Sequence, residues 1–285
     1  MVDVGTVSMA GVGIDLAGGL DLAVRAREFG VDVLEVETVM GDSVLVTTTA
    51  PDGLPGRLRA GRFFDILCRI EGSYDPLLRR PYSVFRVDER RGTLTFLVRP
   101  YGRASRWLAE RPVGASLDLL GPLGNTYEIA PRSRNLLMVA GGVGVAPLVM
   151  LSDEAVARGL NVTFLMGAAN AEGLLSPTLL PSAVEFVAAT EDGSKGQRGY
   201  VTDLMPEYVR WADQIFACGP EPMYRALRAA AAPLRIGGRP QAQVSVEREM
   251  ACGVGACLGC VVETRHGMRT SCIDGPVFDL DEVVL

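Results

Sequence analysis

The stretch Asn135-Leu-Leu-Met-Val-Ala-Gly-Gly-Val-Gly-Val-Ala-Pro147-Leu148 decides the fold class. An apolar run the length of one buried strand ends in glycines at 141, 142 and 144, and a helical pattern follows as far as Arg158. Strand, glycine turn and helix in that order open a nucleotide-binding α/β unit, with the turn at the carboxyl end of the strand and the helix N-terminus facing an anion. The fit to G-x-G-x-x-G is partial because Pro147 takes the last place. Proline is tolerated in the first turn of a helix, where its missing N–H would have no partner anyway. Gly142, Gly144 and Pro147 are therefore candidate nucleotide-binding residues, against the plainer reading of a tight turn with no ligand.

Toward the C-terminus, strand-like runs at 162–166, 184–188, 214–217 and 241–246 alternate with helical segments such as Glu221–Ala231. Five parallel strands with crossover helices are expected, in a domain over 131–238. The turn Gly167-Ala-Ala-Asn-Ala-Glu172 lacks a cation for a 2′-phosphate, and Glu172 could accept from a ribose hydroxyl, so NAD is expected over NADP. Lys195 and Arg198, on a neighbouring loop, are the residues that would reverse that preference. Cys218 ends a strand before Gly219-Pro220. Two readings stay open for it, a group near a bound ligand and a buried small hydrophobe.

Toward the N-terminus, short alternating runs at 32–39, 43–49, 63–70, 82–88, 93–99 and 116–120 are separated by turn residues, which predicts a small antiparallel barrel over 31–130. One helix, 105–110 with Ser105 as its cap, interrupts it. Two segments of the barrel carry chemistry: Arg80-Pro81-Tyr82-Ser83 and Gly102-Arg103-Ala104-Ser105. An arginine holds a pyrophosphate, a tyrosine lies against a flat ring, a serine bonds a ring nitrogen, and a helix start binds a second phosphate. Together they suit FAD; alone, R-P-Y-S also reads as a strand entry with a turn proline and a surface arginine. Residues 21–29 are expected to form a short helix ended by Gly30, within an N-terminal extension, 1–30, of no assigned role.

The last domain, 239–285, is announced by Cys252, Cys257, Cys260 and Cys272, spaced C-x4-C-x2-C-x11-C. The first three match the loop that wraps a plant-type [2Fe–2S] cluster, closed by a distant fourth thiolate. Gly253, Gly255 and Gly259 let the backbone approach and aim amides at it. Structural zinc is the alternative, though it favours paired short spacings. His266, in the polar stretch 263–268, is expected in a hairpin loop rather than as a ligand, and Cys68 in the barrel core.

Composition sets the limits. The chain has 285 residues, 48% of them hydrophobic, enough for cores without disulfides, and a net charge of −6 that argues against nucleic acid. No apolar run reaches the length of a membrane span, and the first residues lack a secretory pattern. A soluble cytoplasmic protein is expected.

The barrel with R-P-Y-S and G-x-x-S, the Gly141–Pro147 turn and Cys218-Gly219-Pro220 resemble the ferredoxin–NADP reductase superfamily. The run Ser245-Val-Glu-Arg-Glu-Met250-Ala-Cys252, continuing to Cys260 and Cys272-Ile-Asp-Gly-Pro-Val-Phe278, resembles the electron-transfer subunits of type B dihydroorotate dehydrogenase. That resemblance implies FAD on Arg80, Pro81, Tyr82, Ser83, Leu97, Val98, Arg99, Gly102, Ala104 and Ser105, NAD near Cys218, and a [2Fe–2S] cluster on the four cysteines. It further implies a hetero-oligomer with an FMN-containing catalytic subunit, where dihydroorotate is oxidised. A free-standing NAD(P)H-dependent reductase feeding an oxygenase is the alternative built from the same modules, and a non-enzymatic iron–sulfur scaffold or redox sensor is a second.

Overall fold

In a computed structural model, which describes residues 26–70, 72–233 and 241–285, the first half of the chain is a closed barrel. Its strands are β1 (Arg27–Met40), β2 (Ser43–Thr49), β3 (Phe63–Ile66), β4 (Arg80–Asp88), β5 (Thr93–Val98) and β6 (Ser116–Leu123). They run in the order β1-β2-β5-β4-β3-β6, and β6 closes onto β1. Alternation along the strands fills the interior: Phe64 and Ile66 of β3 are fully buried, and Phe64 meets Phe96 edge-on at 5.9 Å.

The expected helix over 21–29 is corrected where it is described: Arg27, Glu28 and Phe29 begin β1 and pair with Gly121, Leu120 and Leu119, while 21–25 lie outside the described residues. Pairing with β6 overrides the local helical periodicity. The strand expected over 63–70 stops at Ile66, β6 runs on to Leu123, and the helix α1 spans Arg103–Ala109, capped by Gly102 rather than Ser105.

The second half is built on β7 (Asn135–Gly141), α2 (Val145–Ala157), β8 (Asn161–Ala168), β9 (Glu185–Thr190), β10 (Gln197–Arg198), α3 (Val201–Tyr208), β11 (Gln214–Cys218), α4 (Glu221–Ala231) and β12 (Gln241–Ser245). A hairpin, β13 (Val261–Thr264) with β14 (Gly267–Thr270), and the short strand β15 (Val277–Asp279) follow. The large sheet has the order β10-β9-β8-β7-β11-β12-β15. Its five expected strands are parallel neighbours, joined by parallel β10 at one edge and antiparallel β15 at the other. Thus β12, which lies beyond the expected boundary at 238/239, belongs to the nucleotide sheet. The strand order reverses between β7 and β11, so a crevice opens at their carboxyl ends.

Side chains from α2 hold the two halves together. Arg86 of β4 forms a bidentate pair with Asp153, at 2.8 and 3.2 Å, and also donates to Leu179 O at 2.6 Å. Glu154 accepts from Ala60 N at 2.9 Å. The C-terminal segment is tied to the barrel through Asn125, whose amide donates to Asp274 O and Val277 O and accepts from Val277 N. Among the described residues no helix is long and apolar enough to cross a membrane.

Candidate functional site

The cysteine segment wraps as its glycines predict. Gly253 and Gly255 adopt φ of 68° and 76°, and an added Cβ would strike Asp65 at 2.2 Å or Ile273 at 2.8 Å, so neither place admits a side chain. The freed amides point at sulfur: Cys257 N to Cys252 Sγ, Gly259 N to Cys257 Sγ and Cys272 N to Cys260 Sγ, each at 3.4 Å. Burial opposes ionisation of Cys252, yet N–H groups of Val254, Cys257 and Ala256 together bring its thiol down to about 7. Burial pushes Cys272 up to about 12, with Cys260 beside it. The thiols stand as two pairs, Cys252 with Cys257 and Cys260 with Cys272, and among the described residues no three metal-binding side chains converge on one ion. Two thiolates per iron is the ligation of a two-iron cluster, so this donor set fits one. His266 sits in the β13–β14 turn, exposed and 3.9 Å from Glu282.

Cys260 and Cys272 pack on Phe63 and Leu123 of the barrel, with Met250, Leu120 and Ile273 around them. Phe63 is the register partner of Ser83, and Phe64 of Tyr82. R-P-Y-S is therefore the strand next to the one that carries the cysteine segment, a spacing of about 4.8 Å. Tyr82 is anchored by its phenol to the Cys68 thiol; burial pushes that thiol up to about 12 and raises the phenol as well. Arg80 bends back on the carbonyls of Leu78 and Arg79, at 2.8 and 3.0 Å. The Ser105 hydroxyl is turned onto its own loop, accepting from Gly102 N at 3.0 Å and donating to Gly102 O at 3.1 Å, and the first turn of α1 has no side-chain cap at its N-cap residue. Leu97 and Val98 are buried in the barrel, while Arg99 is exposed beyond β5. An arginine, a fixed aromatic ring and a helix start fit a flavin dinucleotide.

At the carboxyl ends of β7, β11 and β12 lies a cleft of ≈ 320 Å³, lined among others by Gly141, Val143, Gly144, Gly219, Pro220, Tyr224, Glu247 and Arg248. Gly144 approaches Cys218 so closely that a Cβ would lie 2.2 Å from its carbonyl oxygen. Gly142 takes φ 54° to make the turn, and Pro147 is buried in α2 behind the cleft. Cys218 is buried, and its thiol points to Glu247 Oε1 at 3.7 Å. Burial, then the Glu247 charge, raises that thiol well above its ordinary range. Glu247 is open to the cleft yet walled by protein, and this burial raises its carboxyl. Tyr224 accepts from Gly219 N and donates to Ser245 O at 2.6 Å, which fixes the turn. Glu172 lies elsewhere, exposed in a turn after β8. Ser194 accepts from Ala171 N at 2.7 Å, so the loop with Lys195 and Arg198 reaches the same edge.

Glu247, Arg248 and Tyr224 were not singled out by the motifs. The position of Glu247, two residues past the end of β12 beside the switch point, was the available signal.

Three family models match consecutive parts of the chain: an oxidoreductase FAD-binding domain over 33–127, an oxidoreductase NAD-binding domain over 138–229, and the iron–sulfur cluster binding domain of dihydroorotate dehydrogenase B over 247–284. The electron transfer subunit of dihydroorotate dehydrogenase B (NAD(+)) from Bacillus caldolyticus is 36% identical over 258 residues, covering 87% of this chain and 97% of the relative. The chain belongs to this family of electron transfer subunits. The family member from Shouchella clausii is 38% identical over 231 residues, 79% of this chain and 86% of its own. A solved NADH-dependent reduced ferredoxin-NADP oxidoreductase, described in connection with flavin-based electron bifurcation, superposes with a TM-score of 0.76 at 27% identity, covering 89% of both chains. In the family's terms, the barrel is the FAD-binding domain, the parallel sheet the NAD-binding domain, and the cysteine segment the cluster domain.

Proposed function

We propose that this chain carries electrons between an FMN-containing subunit that oxidises dihydroorotate and NAD, as a cytoplasmic step of pyrimidine biosynthesis. The observation that supports it most is the packing of Cys260 and Cys272 on Phe63, whose register partner Ser83 belongs to the flavin strand. When bound, FAD exchanges a hydride with nicotinamide and single electrons with an iron–sulfur cluster. The chain's residues supply the rest. Arg80 and the first turn of α1 would hold the two phosphates, Tyr82 and Ser83 the ring. Gly142 and Gly144 would admit the nicotinamide dinucleotide, Glu247 would line its cleft beside the buried Cys218, and Glu172, in the separate turn after β8, would meet the ribose at the far end of the ligand. Cys252, Cys257, Cys260 and Cys272 would hold the iron, while Phe63 and Leu123 keep water out between barrel and cluster.

A partner is implied by the relatives' designation as subunits. Cys257 is exposed, and Val254 and Leu258 of the same loop are 47% and 64% exposed. Leu258 is the one non-glycine residue with positive φ, 55°, among those described, which turns its side chain outward from the loop. Such apolar residues suit the centre of an interface. The free-standing reductase uses the same three modules, and the family match favours the subunit reading over it.

The test is composition together with a split variant. Purified chain should carry FAD and two irons and reduce dyes with NADH, while Arg80→Ala should lose flavin and keep iron. Zinc in place of iron, or release of FMN on heating, would contradict the reading.

A further inference from the structure

The outer face of β3 presents two residues to the cysteine segment, Phe63 and Asp65. Phe63 packs on Cys260 and Cys272. Asp65 is 1% exposed, and its Oδ2 lies so close to Gly253 that a Cβ there would be 2.2 Å away. Its Oδ1 has no hydrogen-bond partner among the described residues. A buried carboxylate with an orphaned oxygen is a cost that folds seldom retain without a reason. The cation set toward it is Arg79, which is already committed to Asp118 at 2.9 Å and Glu28 at 2.8 Å and so offsets the carboxylate only from a distance. Burial holds the Asp65 carboxyl up, at about 6, against the pull of Arg79. The carboxyl thus stands in a poorly screened place, against Gly253, the residue that follows Cys252.

We propose that Asp65 tunes the cluster: a carboxylate built into the barrel wall that holds the cluster's reduction potential lower than the four thiolates alone would set it. This rests on the reading of the cysteine segment as a [2Fe–2S] site. Reduction adds one negative charge to a centre already ringed by thiolates, and a buried negative neighbour makes that addition less favourable. Asp65 acts through the loop it underlies, as a positioning residue for charge, and a lower potential would favour passing the electron onward to the flavin strand beside it.

EPR-monitored potentiometric titration of the iron-loaded chain at about pH 8 tests this. Iron content and the signal of the reduced two-iron centre in the wild type first establish the site itself. Asp65→Asn and Asp65→Ser should keep that signal and shift the potential upward; Asp65→Glu, which keeps the charge, should stay near the wild type. Two neutral variants guard against one failing to load. Unchanged or lowered potentials in a loaded neutral variant would overturn the role of Asp65 while leaving the cluster reading intact. Absence of the two-iron signal in the wild type would remove both.

Discussion

Gly144 shows how little freedom the dinucleotide turn has. With the Cys218 carbonyl 2.2 Å from where a Cβ would sit, Gly144→Ala must push α2 away from β11. The expected cost is about 1–3 kcal/mol of stability, together with a rise of at least about tenfold in KM for NADH. Iron and flavin content should be unchanged, since the atoms nearest a Cβ at 144 belong to Cys218 and Gly219, neither of which holds the iron or the flavin. Steady-state kinetics beside metal and flavin assays check this; a normal KM would mean that the dinucleotide does not use this turn. At this scale the sequence was uneven. Four cysteines at fixed spacing, and glycines between them, are local facts, and they were legible. Asp65 and Glu247 were not, because each acquires its meaning from a residue far along the chain, Gly253 for one and Cys218 for the other. No spacing rule carries that register.

Elements were read well where periodicity and tertiary pairing agree. The strand-turn-helix at 135–158 is such a case; the start of β1 is the opposite, a helical pattern taken up by the free edge of β6. The contact between elements that matters most for the site is Arg86 with Asp153, which clamps α2 to β4 and so sets the nucleotide cleft against the flavin strand. Both side chains are about one-third exposed, so the pair is discounted for screening. Arg86→Gln is expected to cost about 1 kcal/mol, or roughly 2–4 °C in Tm for a chain of this size, and the deficit should shrink in high salt. Flavin reduction by NADH should slow as the clamp loosens. Thermal melts at low and high salt, with stopped-flow reduction, measure both; a salt-independent loss would point to packing instead.

Across the whole molecule, three modules form one line of contacts: α2 below the cleft to the flavin strand β4 through Asp153 and Arg86, and β4 through β3 to the cysteine loop. The loop's exposed edge at Val254, Cys257 and Leu258 is where that line leaves the chain. Leu258→Asp should weaken assembly with a catalytic subunit by about 1–3 kcal/mol, without loss of iron. What the relay as a whole does is tested most directly by dihydroorotate-dependent NADH formation, measured for this chain alone, for a catalytic dihydroorotate dehydrogenase subunit alone, and for the two mixed. NADH should form only in the mixture, and Leu258→Asp should raise the concentration of chain needed to reach half the full rate. Turnover of dihydroorotate by this chain alone, or a mixture no faster than its separate parts, would contradict the account.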